Sequence, residues 1–262
     1  MVHLISHVSH LISQKMLHDY IISLGDNALI LGQRLGEWCG HGPALETDMA
    51  MTNISLDLFG MTRSYFQYAA EVEGKGRTED DIAFLRNERE YKNVQLVEQP
   101  NGNFADTIAR QFFFDAWHYL FLQELAKSSD AQLAAIAAKS IKEVKYHFRF
   151  SSQWVLRLGD GTEISHEKMQ NAVNDLWMFT EELVTSTDLE KEMADKGIGV
   201  DVSQLKTAYY EKLESILREA TLEIPQKQWM QQGGKSGIHT EYLGHLLSEM
   251  QYLQRVHPGA TW

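Results

Sequence analysis

Two pairs of acidic and histidine residues are spaced so that both members of each pair project from one face of a helix. Asp115 precedes His118 by three residues, and Glu143 precedes His147 by four. Residues three or four apart share a helical face, so each pair presents a carboxylate and an imidazole to the same side. Diiron sites in four-helix bundles use such pairs on two helices and one carboxylate on each of the other two. The spacing therefore makes a diiron centre the first chemistry to test.

A complete diiron site needs about six inward ligands at a consistent depth. Asp57 supplies a carboxylate on the second predicted helix, but Gly60 stands where a histidine is required three residues later. Val144 occupies the carboxylate position three residues before His147, and Asn27 lies at the depth of the antiparallel carboxylate. In ligand order the inferred positions are Asn27, Asp57, Gly60, Asp115, Val144 and His147. Because glycine and valine offer no donor and neutral asparagine is a poor one for iron, the pattern predicts a bundle that has lost its metal site.

The residues leave alternatives open. A shifted set of donors would still offer a site for one ion: Asp57, Asp115, His118, Glu143 and His147. Without metal, a buried Asp115 and His147 would satisfy each other as a carboxylate–imidazole pair. The possible functions at this point are an interaction subunit, an active diiron oxygenase, and a ferritin-like iron store or ligand-binding bundle.

The elements that position these residues are helices. The four prolines all fall between helical patterns, at positions 43, 100, 225 and 258. Apolar periodicity predicts four long helices, at about 17–39, 47–73, 104–127 and 131–158. A charged stretch at 80–92 precedes the third of them. Further helices are predicted at about 166–186, where Ser165 is the expected cap, and at about 189–196, 203–223 and 239–256. The prediction is an all-α, ferritin-like four-helix bundle with additional C-terminal helices.

These patterns define one domain over residues 16–262, with its bundle core at about 17–158 and appended helices at about 165–256. Residues 1–15 are expected to be a disordered N-terminal extension. This extension carries His3, His7 and His10, whose spacing leaves a metal-binding alternative open.

Composition narrows the classes of partner. The chain carries 24 basic and 36 acidic residues, a net charge of −12, which disfavours nucleic acid and anionic membranes as partners. The sequence has no apolar run long enough to span a membrane and no secretory signal, so we expect a cytoplasmic protein. Cys39 is the only cysteine, which excludes an intrachain disulfide, and we expect it to be a buried small hydrophobe.

Four long stretches resemble a known family. They are RLGEWCGHGP at 34–43, VEQPNGNFADTIARQ at 97–111, KEVKYHFRFS at 142–151 and HTEYLGHLLSEMQYLQRVHPG at 239–259. They closely resemble the C subunits of the bacterial ring-1,2-phenylacetyl-CoA epoxidases, over essentially Met16 to Trp262. Only the first fifteen residues depart from the usual start of that family.

The resemblance implies a non-catalytic structural subunit of a multicomponent monooxygenase in aerobic phenylacetate degradation. In that family the diiron site and the epoxidation belong to the A subunit, which the C subunit supports. The resemblance further implies a small B subunit that joins the complexes and a reductase E subunit with FAD, an iron-sulfur cluster and NADPH. For this chain it implies no catalytic residue, no metal and no cofactor of its own.

The coenzyme A part of the substrate implied by the resemblance carries phosphates, which a basic or polar loop at the subunit boundary would contact. The segment 86–93 is the first candidate for this contact. The candidate substrate-binding residues are Glu90, Tyr91, Lys92 and Asn93, followed by Lys191, Glu192 and Met193 after the predicted helix at 166–186. The sequence GGKSG at 233–237 lacks the spacing of a nucleotide-binding loop and is interpreted as a flexible connection or partner contact.

Overall fold

The computed structural model describes residues 2–226 and 229–260, with side chains from residue 11 onward. Over these residues the chain is helical and contains no strand, so the predicted all-α class is confirmed. The helices are α1 (Val2–Gly36), α2 (Leu45–Glu73), α3 (Glu79–Phe84), α4 (Gln95–Glu98), α5 (Phe104–Leu125), α6 (Ala131–Gly159), α7 (Glu163–Leu176), α8 (Asp188–Asp195), α9 (Lys206–Glu219), α10 (Glu241–Met250) and α11 (Tyr252–Val256). Short 3-10 turns connect several of them.

Helices α1, α2, α5 and α6 form the four-helix bundle. The most extensive packing joins α1 to α2 and α5 to α6, and α2 packs against α6. Tyr68 on α2 donates a 2.6 Å hydrogen bond to Asp130 at the start of α6, and Asp57, eleven residues earlier, meets His147 farther along α6. The two helices are therefore antiparallel.

Helix α5 is the most deeply buried element because its sequence is apolar on nearly all sides. Its Phe112, Phe113 and Phe114 are almost completely buried, and α7 and α9 cover the face that the bundle leaves open. Asn103 caps the helix by accepting a hydrogen bond from the Ala105 N–H, while Asp106 accepts one from the Asn103 N–H. Burial of this helix holds Asp115 and His118 in the centre of the molecule.

Several helix ends differ from the predictions. Thr162, rather than Ser165, is the N-cap of α7, and Ser165 completes a reciprocal capping box with it. Helix α7 ends at Leu176 and gives way to 3-10 turns. The predicted last helix is broken at Gln251, whose buried side chain donates to the Arg86 carbonyl.

The first helix also differs at both ends. It runs from Val2 to Gly36, and so passes through most of the segment predicted as an extension. The side chains of His3, His7 and His10 lie outside the described residues, so their metal-binding alternative stays a prediction. Because the helix ends at Gly36, Cys39 lies in the following turn and is exposed, and the expectation that it is buried is wrong. No helix among the described residues has the length and apolar character needed to cross a membrane.

Candidate functional site

Asp57 on α2 and His147 on α6, two of the expected metal positions, contact each other directly. The Nε2–H of His147 donates to Asp57 Oδ2 at 2.9 Å. The imidazole is fully buried, whereas the side chain of Asp57 is about one-third exposed at the edge of the bundle. A single carboxylate–imidazole contact thus links the two helices at this depth.

Asp115 is also held by protein groups. Gln111 donates to its Oδ1 at 2.6 Å, and the hydroxyl of Ser151 donates to its Oδ2 at 2.8 Å. Burial raises the pKa of Asp115 to about 7, although attraction to His147 and these two hydrogen bonds counteract part of the rise. A carboxyl group with this pKa is partly protonated near neutral pH.

His118 lies beside this cluster as a neutral imidazole. Burial, together with repulsion from His147, lowers the pKa of His118 to about 3. Its ring packs against Phe114 and stacks on Trp117 at 5.0 Å and 5.8 Å between centroids. Burial between aromatic rings, rather than proximity to a carboxylate, defines the environment of this histidine.

Three of the six expected metal positions carry residues that are not iron ligands. Val144 is a fully buried apolar residue, and Gly60 lies exposed on α2. Asn27 on α1 turns its Oδ1 to the backbone N–H of Val94 and accepts a 2.9 Å hydrogen bond. None of these positions supplies a group that iron would bind.

The bundle core therefore does not fit a diiron centre. Two of six positions have no donor, and the donor atoms of Asn27, Asp57 and Asp115 are engaged by protein hydrogen bonds. The donors of the shifted set also fail to converge, because no three His, Cys, Asp or Glu residues within the described chain come close enough to hold a metal ion. Among these residues the cluster is a hydrogen-bonded polar core.

A cleft of about 450 Å³ opens on the other side of α1, between α1, α5, α8 and the segment that follows α3. Its apolar wall includes Ile22, Leu24, Trp117, Phe121 and Leu189. Its lining contains three acidic side chains, Asp19, Glu90 and Glu190, and six basic ones: Lys15, Arg77, Arg86, Arg89, Lys92 and Lys235. In a chain with a net charge of −12, this is a local concentration of positive charge.

Two of these basic residues have no carboxylate partner within the described chain. Lys92 donates only to the backbone carbonyl of Arg89, at 3.2 Å, and the guanidinium of Arg89 makes no hydrogen bond to a described residue. Lys235, in contrast, pairs with Glu190 at 2.8 Å. Arg89 and Lys92 are therefore the cations of the cleft that an anionic ligand would reach without displacing a carboxylate.

The segment 86–99 is fixed against the bundle by buried polar residues of α1. Asp26 forms a bidentate ion pair with Arg86 and accepts a 2.8 Å hydrogen bond from the Lys92 N–H. The guanidinium of Arg86 also stacks over the Tyr91 ring at 4.1 Å. Asp26 thus fixes the position of the Lys92 backbone beside the cleft.

Two further buried carboxylates hold the same segment from the C-terminal side. Glu182 accepts hydrogen bonds from the backbone N–H groups of Gln95, Gly233 and Lys235. The GGKSG segment is therefore packed on the domain, and the interpretation of it as a flexible connection is wrong.

Glu98 accepts a 2.9 Å hydrogen bond from His239 Nδ1, and the Nε2 of His239 donates to the Tyr91 carbonyl at 3.0 Å. Burial by itself lowers the pKa of His239, but the contacts with Glu98 and the Tyr91 carbonyl outweigh burial and raise it above the usual value. Since both ring nitrogens face acceptors, the protonated imidazolium satisfies both contacts.

The structure places the predicted substrate residues in three environments: the cleft, the protein interior and the exposed surface. Glu90 and Lys92 line the cleft, and Leu189 and Glu190 line it just before the second predicted group. Tyr91, Asn93 and Met193 are buried in the protein interior. Lys191 and Glu192 are exposed on α8, where Glu192 pairs with Lys196. The assignment of all seven as substrate contacts stays a prediction, and the placement favours Glu90 and Lys92 among them.

The buried carboxylates that anchor segment 86–99 were not predicted from the sequence. Asp26 and Asn27 form an adjacent polar pair within the otherwise apolar stretch 20–31 of α1, and burial of such a pair requires partners. This pattern signals an internal anchor, although it does not identify Arg86 as the partner.

Comparison with known proteins agrees with the resemblance of the four stretches. The family model described as "Phenylacetic acid catabolic protein" matches residues 8–262. The chain is 55% identical over 243 residues to the C subunit of the 1,2-phenylacetyl-CoA epoxidase of Escherichia coli (strain K12), covering 93% of this chain and 98% of that protein. The match extends over nearly the whole chain, and the chain therefore belongs to the phenylacetic acid catabolic protein family.

Proposed function

We propose that this chain is a non-catalytic structural subunit of a cytoplasmic, multicomponent phenylacetyl-CoA ring 1,2-epoxidase. The observation that carries the proposal is the 55% identity to the C subunit of such an epoxidase over nearly the whole length of both chains. The bundle core supports the non-catalytic part, because Gly60 and Val144 offer no donor and Asp57 and Asp115 are engaged by protein groups. In this proposal a catalytic A subunit holds the diiron site, and a B subunit joins the complex.

The chain would act by packing against the A subunit and preventing its helices from fraying. It would carry no cofactor itself, while the reductase E subunit would supply electrons from NADPH through FAD and an iron-sulfur cluster. Subunits that depend on each other in this way commonly bury about 2,000 Å² or more. Binding to the folded partner alone would raise the apparent stability of that partner by mass action.

The first prediction concerns metal content and mutual stability. We expect iron to be confined to the complex, with far less than one equivalent in this chain purified alone. We also expect the A subunit to unfold at a lower temperature when it is prepared without this chain. Elemental analysis and thermal unfolding of the A subunit, this chain and the co-purified complex test both expectations. Stoichiometric iron in the isolated chain, or an A subunit equally stable alone, would refute the proposal.

We further propose that the cleft contacts the phosphates of the coenzyme A thioester at the subunit boundary. Replacing Arg89 and Lys92 together by alanine should weaken thioester binding to the complex about tenfold or more, because each charge-assisted hydrogen bond contributes about 1.5–3 kcal/mol. Calorimetry with phenylacetyl-CoA measures the effect, and the loss should shrink with a thioester that lacks the 3′-phosphate.

A matched control is Lys168→Ala, which removes an exposed lysine on α7 that does not line the cleft. This control should bind the thioester as the unaltered complex does. Equal affinity in the Arg89 and Lys92 double variant would remove the cleft from the binding site.

A further inference from the structure

The outer face of α2 carries an uncharged stripe that the chain does not cover. Its members are spaced by four, four, three and four residues, which places them on one helical face: Leu45, Met49, Asn53, Leu56 and Gly60. Leu45 is 73% exposed, Met49 56% and Leu56 60%. The stripe is about 22 Å long at 1.5 Å per residue. Large apolar side chains that recur on one exposed face mark an interaction surface more often than isolated ones do.

Helix α6 forms the other side of this face. A groove between α2 and α6 is lined by Leu56, Gly60 and the carboxylates Asp57 and Glu71 on the α2 side. Ile136, Lys139 and Glu143 line it on the α6 side. Tyr146, 39% exposed, follows Glu143 by one turn of α6 and extends the same side. We call the α2 stripe together with this side of α6 the α2–α6 face.

The charge of α6 is opposite to that of the chain as a whole. The helix carries five basic residues and a single acidic one, Glu143, whereas the chain has a net charge of −12. The basic residues are Lys139, Lys142, Lys145, Arg149 and Arg157, and all are exposed. None of them has a carboxylate within salt-bridge distance in the described chain. An acidic protein that leaves one helix basic and unpaired has a surface complementary to a partner with carboxylates.

Gly60 is a glycine in the interior of α2, with open space beside it. A glycine inside a helix costs about 1 kcal/mol relative to alanine. Nothing lies within 4 Å of the position that a Cβ atom would occupy at Gly60, and its backbone is helical. Neither space nor backbone conformation within the chain requires glycine at this position. A close approach by the backbone or a large side chain of a partner would require it.

We propose that the α2–α6 face is the docking surface for a helix of the catalytic partner subunit. The contacting helix would carry an apolar stripe against Leu45, Met49 and Leu56, carboxylates against the basic residues of α6, and its closest approach at Gly60. This inference rests on the proposed function, because it assigns a surface to the contact between the two subunits. It goes beyond the proposed function by specifying which helices meet the partner and the chemistry of the surface that they meet.

The test uses two variants of the face and one control, each purified as the full chain. Gly60→Trp fills the open position, and Leu56→Glu adds a negative charge to the stripe. The control, Ile164→Glu, changes an apolar residue of α7 that is 67% exposed and lies outside the face. All three sites are exposed, so the isolated variants should unfold within about 2 °C of the unaltered chain.

Binding to the A subunit of the same epoxidase is then measured by titration at low and high salt. Both face variants should weaken the complex at least tenfold, and Ile164→Glu should leave it unchanged. Binding of the unaltered chain should weaken with added salt, because charges of α6 contribute. Equal binding by all variants would overturn the inference and leave the proposed function intact. Failure of the unaltered chain to bind the A subunit would overturn both.

Two other occupants of the face are tested with the same variants. If the unaltered chain forms a dimer that Gly60→Trp dissolves while its binding to the A subunit persists, the occupant is a second copy and the inference is wrong. Binding to vesicles of anionic lipid that both face variants abolish, with binding to the A subunit unaffected, would likewise refute it in favour of a membrane surface.

Discussion

Replacing Asp26 by alanine is expected to lower the free energy of unfolding by about 3–5 kcal/mol, because it leaves the buried guanidinium of Arg86 without its counter-charge. Asp26 is completely buried and Arg86 nearly so. The change also leaves the N–H of Lys92 without its acceptor. Urea unfolding at neutral pH measures the loss. Hydrogen exchange should report faster opening at Lys92, because that N–H loses its bond.

Two variants separate this effect from a general loss of packing. Glu124→Ala breaks the exposed ion pair with Lys127 and should cost less than about 1 kcal/mol. The double change Asp26→Leu with Arg86→Met leaves no buried charge alone and should recover a large part of the loss. A cost below about 1 kcal/mol for Asp26→Ala would show that the ion pair does not hold segment 86–99.

The stability of the chain should depend on pH through Asp115, and Asp115→Asn should remove that dependence. Because burial raises the pKa of Asp115 to about 7 from 3.8, its folded-state stabilisation is complete below pH 3.8 and is lost as the pH rises towards 7. At 1.36 kcal/mol per pKa unit, the loss is about 4 kcal/mol in total, and more than half of it falls between pH 5 and pH 8. In Asp115→Asn the amide oxygen can still accept from Gln111, and the amide nitrogen can donate to Ser151 Oγ, which reverses the direction of that hydrogen bond.

Urea unfolding at pH 5, 6, 7 and 8 tests this expectation. The advantage of Asp115→Asn over the unaltered chain should grow by about 2–3 kcal/mol across that range. Asp160→Asn is the control, because Asp160 is exposed at the end of α6 and should show no such change. A constant difference between Asp115→Asn and the unaltered chain would contradict a raised pKa for Asp115.

His118 has the opposite effect on stability, which falls as the pH is lowered. Its pKa is lowered to about 3, so the unfolded chain takes up a proton below pH 6.5 that the folded chain does not, and stability falls as the pH falls. Together the two residues favour the folded state most strongly at intermediate pH. Protonated Asp115 and neutral His118 are therefore the forms that favour the folded state.

Much of the fold was predictable because helices are encoded locally. The core helices α2, α5 and α6 were predicted within two residues at each end, from apolar residues at three- and four-residue spacing and from glycines at their ends. The break at Gln251 was not predicted, and the contact of the Gln251 side chain with Arg86, 165 positions earlier in the chain, is one that helical periodicity does not report.

The sequence by itself determined the helical class, the family and the loss of ligand types at Gly60 and Val144, since a residue without a donor cannot bind metal in any fold. Tertiary structure alone decided that Asp57 pairs with His147, that Asp115 is held by Gln111 and Ser151, and that Asp26 anchors Arg86. Asp57 and His147 are 90 residues apart, and Asp26 and Arg86 are 60 apart. Helical periodicity reports which face of a helix is buried, whereas the choice of partner on that face depends on how the helices pack against each other.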